Sequence, residues 1–305
     1  MLAAIDAGSN TLRLLIGKVS GGRIAPELYL RRITRLAGGF SDAEGLSLAA
    51  RERTLLAFEA FAETCRKFGV QQVRAVGTAA FRQAINGEAF VNQIRETTGL
   101  PLEIVSGEME AEHMVKGVLS ALDPTPSQAL IVDIGGGSTE FVLCQHQKVI
   151  WSRSLVLGVV RLTEGHDSPA KRQSAIDASL TALVLELADA CRSACIDSAG
   201  LVIVGTAGTI TTLAALDMQM SDYDWRRVNN YALPLSRLQY WQARLDPLSP
   251  AEREALPGVE AGRGDLLTAG LEIILCLLRQ VRADSLTVSD FGILEGLLLS
   301  MQSPG

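Results

Sequence analysis

Short apolar runs alternate along this chain with stretches whose apolar residues recur at helical spacing. Residues 1–35 read as strands, with Gly21-Gly22 as the hairpin turn between two of them. Gly38 and Gly39 open a loop. From Leu46 to Phe68 the spacing is helical, and Gly69 suits the end of that helix. Val70 to Val76 reads as a strand. Asn86 is placed to cap a helix that runs to Thr98 and closes at Gly99 and Pro101. Leu102 to Val105 is a short strand, and Ser106 can cap a helix running to Leu122. Beyond it the pattern predicts a helix near 170–195, a strand at Leu201–Val204, a helical stretch after Pro234, a long buried helix from Arg263 to Val281, a strand at Leu286–Val288 and a last helix from Gly292 to Met301. Strands and helices alternate in both halves, which predicts an α/β protein.

One pattern occurs twice. Ala4-Ile5-Asp6-Ala7-Gly8-Ser9-Asn10-Thr11-Leu12-Arg13 aligns without a gap on Ile131-Val132-Asp133-Ile134-Gly135-Gly136-Gly137-Ser138-Thr139-Glu140, so that Asp6 matches Asp133, Gly8 matches Gly135 and Arg13 matches Glu140. Each copy is an apolar run ending in Asp, a turn of small residues and a second apolar run. That is a β-hairpin whose turn offers backbone N–H groups to an anion. The Asp at the strand end is placed to hold a metal or a water beside that anion. A hairpin that opens each α/β half suggests two related lobes. The segment Asp123-Pro124-Thr125-Pro126-Ser127 separates them, because its prolines stop helix continuation. The expected lobes are residues 1–124 and 125–305, with the final helix, about 292–303, free to pack back on the first.

With 305 residues, 48% of them hydrophobic, the chain can form about two packed domains. No apolar run reaches the roughly 18 residues needed to span a bilayer. The start, Met1-Leu2-Ala3-Ala4-Ile5-Asp6, has no basic segment of a signal peptide. Five Cys without paired spacing suggest a reducing compartment. The expectation is a cytoplasmic protein with no membrane partner. A net charge of −6 argues against a nucleic-acid partner, yet leaves room for a locally basic cleft. Arg31, Arg32 and Arg35 form one such basic cluster, equally readable as a solvated strand edge. A homodimer stays open.

Four further segments bear on chemistry. Val76-Gly77-Thr78-Ala79-Ala80-Phe81-Arg82 follows a strand, and a guanidinium there can bind phosphate through two parallel hydrogen bonds or sit at the surface. Ser106-Gly107-Glu108-Met109-Glu110-Ala111-Glu112 puts three acids in the first turns of a helix. They complement its dipole, or one of them serves as a general base, and spacing does not choose which. Gly205-Thr206-Ala207-Gly208-Thr209 reads as a strand-to-helix turn, a place for an anion or for close helix–strand packing. Arg263 precedes a helix and can reach a ligand or pair with Asp265.

Together these segments resemble the exopolyphosphatase/guanosine pentaphosphate phosphatase (Ppx/GppA) family over essentially the whole chain. Asp6–Asn10 is similar to its first phosphate motif and Asp133–Glu140 to its second. Thr78–Arg82, Ser106–Ala111 and Val288-Ser289-Asp290-Phe291-Gly292 match further family segments. The resemblance implies two actin-like (ribonuclease H-like) lobes of the sugar kinase, heat-shock ATPase and actin superfamily, with an active site in the cleft between them. It also implies Mg²⁺-dependent release of terminal phosphate from polyphosphate or guanosine pentaphosphate. Carried over by position, Glu110 is the catalytic glutamate that orients and deprotonates water, Arg82 binds phosphate, and Asp133 and Glu140, with Asp6, organise metal and water. Gly8, Ser9, Asn10, Gly135, Gly136, Gly137, Ser138 and Arg263 are the phosphate-binding set. The chain departs from the family where Gly-Leu-Arg-Glu-Gly becomes Gly292-Ile293-Leu294-Glu295-Gly296, losing a basic residue, and its length is that of the short members. Arg13, Arg31, Arg32 and Arg263 are candidates for telling polyphosphate from nucleotide. Two other classes stay open. One is an acceptor-dependent ATP kinase of the same superfamily, although no sugar-kinase signature is present. The other is a non-catalytic sensor of polyphosphate or alarmones.

Overall fold

The structure, a computed structural model, describes residues 1–302 except 42, 167, 198–199 and 261. The chain divides into two compact units. The first holds residues 1–120 together with the C-terminal stretch from Gly292; the second is Ala121–Phe291. The chain thus leaves the first unit at the end of a helix, slightly before the proline-containing segment.

The first unit opens with strands β1 (Leu2–Ala7), β2 (Thr11–Ser20) and β3 (Arg23–Ile33). Helix α1 (Leu48–Lys67), strand β4 (Gln72–Gly77), helices α2 (Ala79–Gln83) and α3 (Gly87–Thr98), strand β5 (Leu102–Ile104) and helix α4 (Gly107–Ser120) follow. The sheet order is β3-β2-β1-β4-β5, antiparallel across the first three strands and parallel across the rest. Gly21 and Gly22 make the β2–β3 turn with left-handed φ of 56° and 74°. One helix end departs from expectation. Asn86 stands at the start of α3, but its side chain does not cap it. The amide instead accepts from Leu46 N and donates to the carbonyls of Glu44 and Leu46, pinning a loop 40 residues away. Ser106, by contrast, caps α4 through Met109 N.

The second unit repeats the plan with β6 (Gln128–Ile134), β7 (Thr139–Gln145) and β8 (Lys148–Leu155), then helices α5 (Val159–Gly165) and α6 (Pro169–Ser193), strand β9 (Val202–Thr206) and helices α7 (Ala207–Asp217) and α8 (Trp225–Val228). It closes with β10 (Ala232–Pro234), α9 (Leu235–Leu245), α10 (Pro250–Glu254), α11 (Leu267–Val281) and β11 (Ser285–Val288). Its sheet runs β8-β7-β6-β9-β11-β10, so the first five strands match the other unit's order and directions, and β10 adds an antiparallel edge. Helix α11 begins at Leu267, four residues after Arg263, and every residue from Leu267 to Leu278 is buried. Its one acid, Glu272, receives a two-pronged bond from Arg172 on α6 at 3.0 and 2.8 Å, which is how a carboxylate is tolerated there. At the end of α7, Asp217 accepts from Arg237, Tyr231 and Trp241. Burial pushes this carboxyl up, but the donors outweigh it and hold it below the ordinary range. No described helix is long and apolar enough to cross a membrane.

The last helix, α12 (Ile293–Ser300), belongs to the first unit and lies against α4. The two backbones touch. A Cβ on Gly117 of α4 would stand 1.8 Å from the Gly292 carbonyl oxygen, and one on Gly296 of α12 would stand 1.8 Å from the His113 carbonyl oxygen. Only glycine fits at either position. Leu294, Leu297 and Leu298 of α12 then complete a core with Ala4, Leu15, Val76 and Val105. We expect Gly296→Ala to destabilise the first unit by about 3 kcal/mol or more, since rigid backbone rather than a side-chain tip stands in the way; urea unfolding measures it.

His113, on the same helix, is held neutral. Burial, then the charges of Arg74 and Lys116, lower its pKa from 6.5 to about 4. The folded form therefore binds fewer protons than the unfolded form between those values, and stability falls as pH drops from about 6.5 to about 4. The His113→Gln protein should lose that part of the pH dependence of Tm while matching the parent's slope above pH 7.

Candidate functional site

In the first unit the β1–β2 hairpin presents Asp6 directly across from Arg13. Asp6 is buried at 2% exposure, and Arg13 donates to its Oδ2 through Nε at 2.9 Å and Nη2 at 2.5 Å. The rung is thus a neutral ion pair. In the turn that follows, Gly8 N donates to the Thr11 carbonyl at 3.0 Å, and the carbonyls of Ser9 and Asn10 accept from amides at 34, 35 and 37. With those carbonyls engaged, the N–H groups of Ser9 and Asn10 donate to no backbone carbonyl among the described residues, and both residues are exposed. Exposed amides on a tight turn are what an anion can use.

The same unit brings Arg82 and Glu110 together. Arg82 leaves the short α2 after β4, and its Nη1 donates to Glu110 Oε2 and to the Val105 carbonyl, both at 2.8 Å. Of the three acids at the start of α4, Glu108 and Glu112 are exposed, whereas Glu110 is half-buried against Arg82. The geometry therefore singles out Glu110, which helical spacing does not.

In the second unit the equivalent rung is Asp133 across from Glu140. Partners directly opposite on neighbouring strands share a sheet face, so two carboxylates stand where the first unit has an acid and a base. Glu140 Oε1 accepts from Ser138 Oγ at 2.6 Å and Ser154 Oγ at 2.8 Å. Gly135 N donates to the Ser138 carbonyl at 2.9 Å, repeating the bond made by Gly8. The carbonyls of Gly135 and Gly136 accept from Val159, Val160 and Arg161. The amides of Gly136, Gly137 and Ser138 donate to no backbone carbonyl among the described residues.

A second cluster of this unit joins two segments far apart in sequence. The Arg263 guanidinium lies against Gly208 at the start of α7, so close that a Cβ there would be 2.3–2.6 Å from it. Its Nε donates to Glu260 Oε2 at 2.6 Å, not to Asp265. Nearby, the Tyr223 hydroxyl donates to Asp290, whose carboxyl is pushed up by burial despite that bond.

Ser154 and Tyr223 were not among the residues singled out by the sequence, and Asp290 entered only as part of the family segment Val288–Gly292. Ser154 pairs with Glu140 in the β7–β8 register, a relation visible only once the pairing is known. Tyr223 carries no local signal at all.

The donor chemistry suits a hard cation. Asp133, Glu140 and the flanking hydroxyls are all oxygen donors, the kind Mg²⁺ takes. Within either unit, among the described residues, no three His, Cys, Asp or Glu side chains converge. A Mg²⁺ ion here would complete its shell from water and phosphate oxygens, as this ion commonly does.

The model of the Ppx/GppA phosphatase family matches residues 15–303. Exopolyphosphatase 2 of Mycobacterium tuberculosis is 35% identical, with 98% of each chain covered. Among solved structures, the type II variant of the Aquifex aeolicus Ppx/GppA phosphatase superposes with a TM-score of 0.83 at 30% identity over 99% of each chain. An exopolyphosphatase from Cytophaga hutchinsonii gives 0.82 at 25% identity, covering 98% of this chain and 97% of that one. These matches fix the fold of the chain as that of the Ppx/GppA phosphatases.

Removing Arg13 would leave Asp6 buried without an ion-pair partner among the described residues. We expect Arg13→Ala to cost about 3 kcal/mol and Asp6→Asn with Arg13→Ala to recover part of that loss, both read by chemical denaturation.

Proposed function

The chain belongs to the Ppx/GppA phosphatase family, and on that premise we propose that it is a Mg²⁺-dependent exopolyphosphatase, with guanosine pentaphosphate as a second substrate ending in the same phosphoanhydride. The observation that carries the reading is the duplicated turn, in which each copy engages two carbonyls and leaves the amides after its first glycine without a backbone acceptor among the described residues. Relatives of this chain bear the name exopolyphosphatase, which supports polyphosphate as the first substrate to try.

In this reading the amides of Ser9 and Asn10 and those of Gly136, Gly137 and Ser138 bind phosphate oxygens, whereas the Gly8 and Gly135 amides, expected in that set, close the turns on the Thr11 and Ser138 carbonyls instead; Arg82 and Arg263 add guanidinium contacts. Asp133 and Glu140 form the acidic rung and would hold Mg²⁺. Asp6 is already neutralised by Arg13. Bound there, the ion would offset phosphate charge that two carboxylates alone would repel. Glu110 orients a water and accepts its proton as the water oxygen attacks the terminal phosphorus. The bond to the bridging oxygen breaks, orthophosphate leaves, and the chain is one phosphate shorter.

The resting bond between Arg82 and Glu110 fits these roles. It holds the carboxylate beside the guanidinium on the first turns of α4.

The test is phosphate release with Mg²⁺ from medium-chain polyphosphate, guanosine pentaphosphate and ATP in parallel. Release from polyphosphate and not from ATP is expected; a folded protein inactive on both polyphosphate and guanosine pentaphosphate overturns the reading. Glu110→Gln should lower turnover by about a thousandfold, the scale of general base catalysis, with substrate affinity kept. Near-normal turnover in that variant would remove Glu110 from its role.

A further inference from the structure

We propose that Ser154 is a positioning residue which, together with Ser138, limits Glu140 to one metal-binding oxygen and so sets the preference of the acidic rung for Mg²⁺ over Ca²⁺. The proposal rests on the reading of that rung as a metal site and goes beyond it by naming what selects the ion.

The strand register brings Ser154 to the rung. Asp133 on β6 stands opposite Glu140 on β7, and Glu140 stands opposite Ser154 on β8. The three residues form one row across three strands, on one face of the sheet. The irregularity in the β7–β8 pairing falls between Leu143 and Cys144, so the pairing at Glu140 is regular. The residues beside this pair are anchored. Thr139, just before Glu140, is buried and donates to the Leu157 carbonyl, which ties β7 to the segment after β8. Arg153, just before Ser154, turns to the other face of the strand and donates to Glu186 on α6.

The first unit has the same row with other chemistry, since Asp6, Arg13 and Arg31 are its successive partners. A hydroxyl on the third strand accompanies the copy with two carboxylates and not the other.

Both hydroxyls converge on one oxygen. Ser138 Oγ at 2.6 Å and Ser154 Oγ at 2.8 Å donate to Oε1 of Glu140. A carboxylate oxygen offers about two lone-pair directions, and the two hydroxyls take both. A cation held by Glu140 then binds it through Oε2 alone. Mg²⁺ is small and demands near-octahedral geometry, which the narrow bite of a carboxylate using both oxygens does not fit. Ca²⁺ is larger, takes roughly six to eight oxygens and accepts both oxygens of one carboxylate. A row that withholds Oε1 therefore denies Ca²⁺ this mode and leaves Mg²⁺ unaffected. Ser138 also lies in the phosphate turn, so Ser154 is the member that can be changed without touching that turn.

Mn²⁺ bound to the phosphate-free protein, followed by electron paramagnetic resonance and displaced by Mg²⁺ or by Ca²⁺, gives the ratio of the two affinities. Ser154→Ala should lower Mg²⁺ affinity about tenfold, the lower end for removing a hydrogen-bond partner of a metal-ligating group, while Ca²⁺ affinity stays within about twofold or rises. Ser154→Thr, which keeps the hydroxyl, should keep the parent's ratio. Tm should match the parent in both variants, since Ser154 is exposed. A parent-like ratio in Ser154→Ala overturns the proposal. Equal loss of both ions overturns it too, as does a Thr variant that behaves like the Ala one. Failure of the parent to bind Mn²⁺ would remove the rung as a metal site altogether, a result distinct from parent-like selectivity in the variant.

Discussion

The contact on which the first unit depends is the one between two helix backbones, where Gly117 of α4 and Gly296 of α12 leave no room for any side chain. It ties the last helix of the chain to a helix more than 170 residues earlier and lets the leucines of α12 cover one face of the first sheet. It also fixes α4, and α4 carries Glu110. The distance of 2.8 Å between Glu110 and Arg82 is thus set from two directions: by the crossing that seats α4, and by the Val105 carbonyl that holds Arg82.

The duplicated hairpin shows how one backbone design can be given two electrostatic characters. In both copies a glycine amide closes the turn on the carbonyl three residues on, and a following segment occupies the turn's carbonyls. The rung beneath differs. Arg13 neutralises Asp6 in one copy, whereas Glu140 adds a second carboxylate beside Asp133 in the other. A neutral rung stabilises a hairpin by itself; an acidic one calls for a cation. Ser138 and Ser154, both donating to Glu140, orient its carboxylate for that role. The proposed mechanism gives the metal to the second copy because of this asymmetry.

Much of this was legible in the sequence because it is written locally. The gap-free match of Asp6–Arg13 to Asp133–Glu140 foretold two hairpins, and the strand pairing places both pairs opposite each other. Helix ends followed Gly69 and Gly99, which take the left-handed conformation there. Relations that depend on tertiary contact were not legible. Asn86 has the residue type and position of a cap, yet a loop from residue 44 to 46 competes for its amide and wins. Arg263 had Asp265 close by in sequence, but the turn before α11 directs it to Glu260 and Gly208. Which acid of α4 pairs with Arg82 was likewise not written in the spacing, and the structure gives Glu110.

The central claim is that a water held by Glu110 attacks the terminal phosphorus of a phosphate chain. A single turnover on polyphosphate in ¹⁸O-labelled water tests it most directly. The account predicts one labelled oxygen in each released orthophosphate and none in the shortened chain. Label in the remaining chain, or phosphate passed unlabelled to an added acceptor, would contradict it.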